Sequence, residues 1–290
     1  MRQAALLVTL LWAGPLLAQT TVDQHRPAAL DGVVDIENMA GSIRVTGWDK
    51  PEIAVSGKLG RRATGLEFSG GPNRTKIEVE TEGNPHGVRS DLDISLPAGS
   101  RLRIEGFEAT ITITGVTGSV QAETVNGTIS LTGGAKDVDL QAVNGGVEVA
   151  KAQGRIKAES VNGPVTVRDS SGELEASTVN GPLVVTGGTW EQVRIETVSG
   201  SLRFEGALTK RSTLSAETVS GSAEFSFPPD LGADFQVSTF SGDVVNDLGP
   251  APTKQSRYSP EKELTFSAAG GGAKITVQTL SGDIRLRKRP

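Results

Sequence analysis

The sequence contains no cysteine, and only 4% of its residues are aromatic. Without cysteine there can be no disulfide, no thiol nucleophile, no thiolate metal ligand and no anchor on a lipid-modified cysteine. The two histidines, His25 and His86, lie in polar stretches that contain proline, and neither has the spacing of a metal or catalytic site. We expect both to be surface loop residues, and we expect the protein to use no cofactor and no metal.

Long apolar runs are also missing, apart from one short run near the start of the chain. Ala4–Ala13 follows Arg2 and is followed by Leu16-Leu17-Ala18. This pattern is typical of a secretory signal peptide, and the run is too short to span a bilayer. We therefore expect residues 1–18 to be a signal peptide, residues 19–30 to be a flexible leader, and the protein to be exported to the periplasm or the cell exterior. No transmembrane segment is expected after signal cleavage.

Positive charge is not in excess, since the formal net charge is −5. A nucleic-acid-binding protein usually carries a basic patch, so nucleic acid is not an expected partner. The 36 glycines, together with many valines, isoleucines and threonines, indicate β-strands separated by tight turns.

A four-residue phrase, Thr-Val-Asn-Gly in its typical form, recurs along the chain. Its glycines are 18 residues apart in the first four copies, and the later gaps are 19, 21, 21 and 40 residues. A fixed period of this kind predicts a stacked repeat architecture. The third position of the phrase is asparagine in the first four copies and serine afterwards: Asn126, Asn144, Asn162, Asn180, Ser199, Ser220, Ser241 and Ser281.

Apolar and polar residues alternate before and after each phrase, which predicts two strands with one buried face in each repeat. Two arrangements fit: an antiparallel meander with Asn-Gly hairpins, or a parallel β-solenoid in which each repeat is one coil. Pro164 and Pro182 directly follow Asn-Gly and have no N–H to close a two-residue hairpin, so they favour the solenoid. The Asn and Ser positions then form a corner ladder, where asparagine tolerates and glycine prefers left-handed backbone angles.

The sequence therefore predicts an all-β, single-stranded parallel solenoid with coils of about 18–21 residues. Residues 31–117 are predicted to form an N-terminal β region with irregular coils, and residues 118–242 the regular repeats. Residues 243–290 are predicted to form a looped cap that ends in the final repeat. Phenylalanines are expected to replace smaller core residues near this end: Phe225, Phe227, Phe235 and Phe240.

The repeated phrases, the final copy Thr279–Leu286 and the segment Leu92–Gly99 resemble the bacterial exported β-helix proteins of the DUF4097 type, usually described as adhesins. The resemblance covers about residues 30–290. It implies the fold and an adhesin-like or scaffold role. It implies no catalytic residues.

An enzyme remains an alternative, because parallel β-helices often carry clustered carboxylates that cleave polysaccharides. Asp137 and Asp139 are close in sequence, and Trp190 is a candidate platform for a sugar, although core packing explains it as well. The acids of one outward column are interrupted by neutral residues: Glu123, Gln141, Glu159, Ser177, Glu196 and Glu217. We therefore expect a non-catalytic module that binds an envelope protein or a surface polysaccharide. A regulatory module of the envelope stress response is a further alternative.

Overall fold

The computed structural model describes residues 20–60, 62–81, 89–254 and 260–289. Within these ranges the regular structure is entirely β, in one mixed sheet. The expected signal peptide and His86 lie outside the described residues. The strands are β1 (Thr20–Pro27), β2 (Val33–Trp48), β3 (Glu52–Leu59), β4 (Ala63–Gly71), β5 (Arg74–Thr81), β6 (Ser90–Pro97), β7 (Arg101–Thr114), β8 (Ser119–Thr124), β9 (Ile129–Thr132), β10 (Asp137–Ala142), β11 (Val147–Ala150), β12 (Gln153–Ser160), β13 (Val165–Arg168), β14 (Ser171–Thr178), β15 (Leu183–Ser199), β16 (Leu202–Ser220), β17 (Ala223–Phe227), β18 (Ala233–Thr239), β19 (Val244–Asn246), β20 (Thr253–Lys254), β21 (Lys262–Ala268), β22 (Ala273–Ser281) and β23 (Ile284–Lys288).

The regular repeats form coils of two strands, one on each of two stacked faces. On the first face, β8, β10, β12 and β14 pair in parallel, with Val138 opposite both Val120 and Ile156. On the second face, β9, β11 and β13 pair in parallel with the same offset of one repeat. The parallel register excludes the antiparallel meander for these repeats. It confirms the interpretation of Pro164 and Pro182, whose carbonyl groups accept backbone hydrogen bonds from Val147 and Val165 of the preceding coil.

The core is a thin layer of small aliphatic side chains between the two faces. Val, Ile, Leu and Ala at alternate positions are almost fully buried along the whole stack, and each larger one contributes about 1.5–3 kcal/mol. Towards the C-terminal end the coils lengthen, and phenylalanine rings fill the wider interior, with centroids of Phe204, Phe225 and Phe227 6.0–6.4 Å apart. Trp190 is fully buried, as core packing predicts. The expectation for Phe240 is wrong, because its side chain is exposed.

The N-terminal end contains antiparallel pairs, which a purely parallel solenoid does not have. Here β5 and β6 pair in parallel with β2, and the next strands outward, β4 and β3, are antiparallel to them. Beyond β3 lies β1, which is antiparallel to it over its whole length. The predicted flexible leader is therefore wrong over Thr20–Pro27, because its backbone groups complete the hydrogen bonds of β3.

The C-terminal end departs from the prediction in a second way, because the last repeat does not lie last in the stack. Strands β22 and β23 are inserted between the coil of β16 and β17 and the coil of β18 and β19. Strand β21 then covers β18 in an antiparallel arrangement. The predicted cap is thus partly wrong: the final repeat is an inner coil, and β18, β19 and β21 form the end. The fold is all-β and solenoid-like, with parallel coils that are covered by antiparallel strands at both ends.

Candidate functional site

The repeated phrase forms a corner between the two faces, and its four residues occupy four different environments. The first residue points inward, as shown by Thr178, which is 2% exposed. The second points outward, as shown by Val179, which is 39% exposed. The third, Asn180, lies on the surface, and the fourth, Gly181, contacts the coil before it. We call the stack of these phrases the corner column.

Inward hydroxyl groups link several of the corners to the coil before them. Thr124 Oγ1 donates to the carbonyl oxygen of Ala109 at 3.0 Å, Ser160 Oγ to that of Gly145 at 2.8 Å, and Thr178 Oγ1 to that of Gly163 at 2.9 Å. The corresponding hydroxyls of Thr197, Thr218 and Thr279 are buried without a hydrogen-bond partner among the described residues. In the serine copy at the end of the stack the bond is present again, since Thr239 Oγ1 donates to the carbonyl oxygen of Gly282 at 3.2 Å.

The four asparagines form a continuous hydrogen-bonded ladder. Asn144, Asn162 and Asn180 each donate from Nδ2 to the Oδ1 atom of the asparagine one coil earlier, and all three distances are 2.9 Å. Asn126 is the first acceptor of the ladder. The serines continue the column, with Ser220 opposite both Ser199 and Ser281. Their shorter side chains make no hydrogen bond to one another within the described part of the chain, so the polar ladder ends at Asn180.

The corner glycines are required by close contact between coils. A Cβ atom on Gly145 would lie 1.8 Å from the carbonyl oxygen of Gly127, and one on Gly163 would lie 2.1 Å from that of Gly145. Left-handed angles do not explain these positions, because neither glycine has a positive φ and no corner asparagine is among the described residues that do. The expectation of left-handed corners is therefore wrong for the asparagine corners, whereas Gly221, in a serine corner, has a φ of 143°. A side chain has no room there.

The outward residues of the corner column form an exposed apolar stripe that the sequence analysis missed. The members at least 39% exposed are Val143, Val161, Val179, Val198, Val219, Leu280 and Phe240. The signal was present in the sequence: period-two alternation places the residue after each buried threonine outside, and that residue is apolar in every copy. Such a continuous exposed stripe is unusual on a soluble protein and marks a candidate interaction surface.

The outer side of the first face carries charges in ion pairs. Along the stack, Asp139 lies opposite Lys157, Lys157 opposite Glu175, and Glu175 opposite Arg194. Lys157 Nζ lies 2.9 Å from Glu159 Oε2 and 4.0 Å from Asp139 Oδ1. The hydrogen bond to Glu159 is the main reason why the pKa of Lys157 is raised, and the nearby charge of Asp139 raises it further.

The candidate acids of the enzyme alternative lie on this same outer side. The register places Glu123, Gln141 and Glu159 on adjacent strands, so a neutral side chain separates the two carboxylates. Asp137 forms an ion pair with Arg155 at 3.2 Å. Among the described residues, no group of three or more His, Asp or Glu side chains is arranged to hold a metal ion. His25 is exposed within β1, 3.5 Å from Asp23, and is not in a loop as expected.

Comparison with known proteins identifies the family of the chain. The family model described as Toastrack DUF4097 matches residues 34–287. No curated protein gives a significant sequence match. One similar solved structure is a "putative cell adhesion protein" from Clostridium sporogenes, which is 9% identical, with a TM-score of 0.24, over 93% of this chain and 100% of the other. No helix in the described ranges is long and apolar enough to cross a membrane.

Proposed function

The chain belongs to the Toastrack family, and we propose that it is a non-catalytic, exported interaction module, adhesin-like or a scaffold of the cell envelope. The observation that carries this proposal is the exposed apolar stripe of the corner column. From Val125 to Phe240 the stripe passes eight corners, which is about 34 Å at the usual strand spacing. A stripe of this length offers an extended contact surface to a partner.

The construction of the corner supports this role because it holds the stripe rigid. Backbone hydrogen bonds continue through the corners, as from Asn144 N to Val125 O at 2.7 Å and from Asn162 N to Val143 O at 2.8 Å. The asparagine ladder and the inward hydroxyl groups fix the same residues from both sides. A partner that binds the stripe therefore loses little affinity to ordering of this surface.

The ion pairs on the outer side of the first face make glycosidase or lyase activity a poorer explanation of the protein's function. A glycosidase needs two carboxylates at a defined separation, one of them with a raised pKa. Here Asp137 lies 3.2 Å from the guanidinium of Arg155 and Asp139 lies 4.0 Å from Lys157 Nζ, so both candidate acids are engaged with cations. We propose an envelope protein or a surface polysaccharide as the partner, met in the periplasm or at the cell surface.

The proposal is tested by measuring binding of the purified protein to immobilised envelope proteins and surface polysaccharides. The variant Val143→Thr/Val161→Thr keeps the shape of the stripe and makes it more polar. Glu148→Gln, in β11 on the second face and outside the stripe, is the control. We expect the double variant to lose binding and the control to keep it. Equal binding by both would reject the stripe as the contact surface. Release of reducing ends from a polysaccharide would reject the non-catalytic role.

A further inference from the structure

The stripe widens into a groove over its last five corners. This corner groove has a volume of about 540 Å³ and is bordered by the outward residues of these corners, by the inward threonines beside them and by nearby acids. Its apolar members, in stacking order, are Val179, Val198, Val219, Leu280 and Phe240. The order follows from the inserted last repeat, which brings Leu280 between Val219 and Phe240.

The apolar surface of the groove increases towards the C-terminal end of the stack. Valine is 39% exposed at position 179 and 45% exposed at position 219, whereas the larger Leu280 and Phe240 are 55% and 53% exposed. Stacking of identical valines along a parallel sheet accounts for a valine column by itself. It does not account for larger side chains that project further into water, and these indicate a surface that is covered by a partner.

The charge of the groove is negative. Glu196, Glu217 and Glu261 border it, and none of the described residues that line it is a lysine or arginine. Arg194, just outside the groove, pairs with Glu196 at 2.6 Å, while Glu217 makes no ion pair within 4.0 Å in the described part of the chain. A complementary partner therefore combines an apolar stripe with positive charges along its edges.

The backbone of the groove leaves no place for an added strand. The coils are paired on both sides, and the corner amides of Ser199, Phe240 and Ser241 donate to carbonyl groups of neighbouring coils. Recognition must therefore use side chains, as when an amphipathic helix lies in an apolar groove.

The spacing of the groove fits a helix better than a strand. Adjacent corners are about 4.8 Å apart, whereas side chains on one face of an extended strand repeat every 6.6–6.8 Å or so. One turn of an α-helix advances about 5.4 Å, and a tilt of about 27° to the stack reduces this advance to about 4.8 Å. Five corners span about 19 Å along the stack, which a helix tilted by about 27° covers with about 14 residues.

We propose that the corner groove binds a cationic amphipathic α-helix of a partner protein, laid along the stack with its apolar side on Val198, Val219 and Leu280. The inference rests on the proposed role as an interaction module and names the chemistry of the partner. The lysines or arginines that flank the apolar side of the helix face Glu196 and Glu217.

Fluorescence anisotropy with labelled peptides tests the proposal on the purified protein. The probe is a helical peptide of about 18 residues, five turns, with leucines on one side and lysines on its borders. Two control peptides have glutamate in place of lysine, or the same composition with the leucines spread around the helix. Val219→Thr/Leu280→Thr alters the groove, and Val245→Thr alters an exposed valine outside the groove and the corner column.

We expect the cationic amphipathic peptide to bind and both control peptides to bind much more weakly. The groove variant should weaken binding about ten-fold or more, and Glu217→Gln by a smaller factor with a weaker dependence on salt. Val245→Thr should bind like the unaltered protein. The proposal is overturned if the groove variant binds the peptide unchanged, or if the spread-leucine peptide binds equally well. If the peptide fails but binding to an envelope partner still depends on Val143 and Val161, the helical partner is rejected and the interaction role is retained.

Discussion

Replacing a corner glycine with alanine tests the structural basis of the repeat. In Gly163→Ala, the new Cβ atom would lie 2.1 Å from the carbonyl oxygen of Gly145, and contacts below 3.0 Å essentially never occur. The two coils must therefore separate by about 0.9 Å at this corner. Neighbouring hydrogen bonds, such as the 2.8 Å bond from Asn162 N to Val143 O, are stretched by the same movement.

The expected loss is the sum of steric strain and weakened hydrogen bonds. Forcing an extra methyl group into a packed site costs about 1–3 kcal/mol, and each weakened hydrogen bond adds up to about 1 kcal/mol. We expect the free energy of unfolding to fall by about 3 kcal/mol. For a chain of this size, the melting temperature should then fall by about 6–12 °C.

Thermal unfolding followed by far-ultraviolet circular dichroism measures this change. Gly134→Ala is the matched control, because a Cβ atom there meets nothing within 4 Å and the glycine has no positive φ. Its free energy of unfolding should change by less than about 1 kcal/mol, and any change should be a gain from the lower entropy of the unfolded chain. If Gly163→Ala melts at the same temperature as Gly134→Ala, close contact between coils is not the reason for glycine at the corner.

Three further predictions concern the ladder, an ion pair and the inserted coil. Asn162→Ala removes two ladder hydrogen bonds and Asn126→Ala removes one. In urea unfolding, the free energy of unfolding should therefore fall by about 1–2 kcal/mol for the first variant and by about half of that for the second. Equal losses would contradict the ladder. Lys157→Met should lower stability by about 0.5 kcal/mol at neutral pH. Because folding raises the pKa of Lys157 above its ordinary value of 10.5, the stabilisation is complete below that pH and is lost as the pH rises through the folded pKa. If the free energies of unfolding of the variant and the unaltered protein still differed above the folded pKa, the difference would have another cause. Ending the chain after residue 269 removes β22 and β23, and hydrogen exchange should then show lost protection in β18 and β19, which pair with them; retained protection there would contradict the inserted position.

Much of the middle of the molecule could be predicted from local sequence. Alternation with a period of two identified the buried faces, and the 18-residue repeat identified the coil, because identical residues in parallel strands lie directly above one another. Pro164 and Pro182 separated a coil corner from a hairpin. The asparagine ladder followed from the same register, and the structure adds the direction of its hydrogen bonds.

The site was predicted only in part. The sequence analysis assigned the asparagine and serine positions to a structural ladder and did not single out the exposed apolar residue that lies immediately before each of them. It also attributed the glycines to backbone angles. Their actual cause is the distance between neighbouring coils, a quantity that appears only after the chain has stacked.

By itself, the sequence determined the two-residue alternation, the repeat length and the residues that occupy each position of a coil, because these depend on near neighbours in the chain. Tertiary structure decided the order of coils at both ends, where later strands are inserted beside earlier ones and antiparallel strands cover them. Any exposed strand edge can accept a partner from anywhere in the chain, so local patterns do not select it. That long-range choice brings Leu280 between Val219 and Phe240 and thereby forms the corner groove.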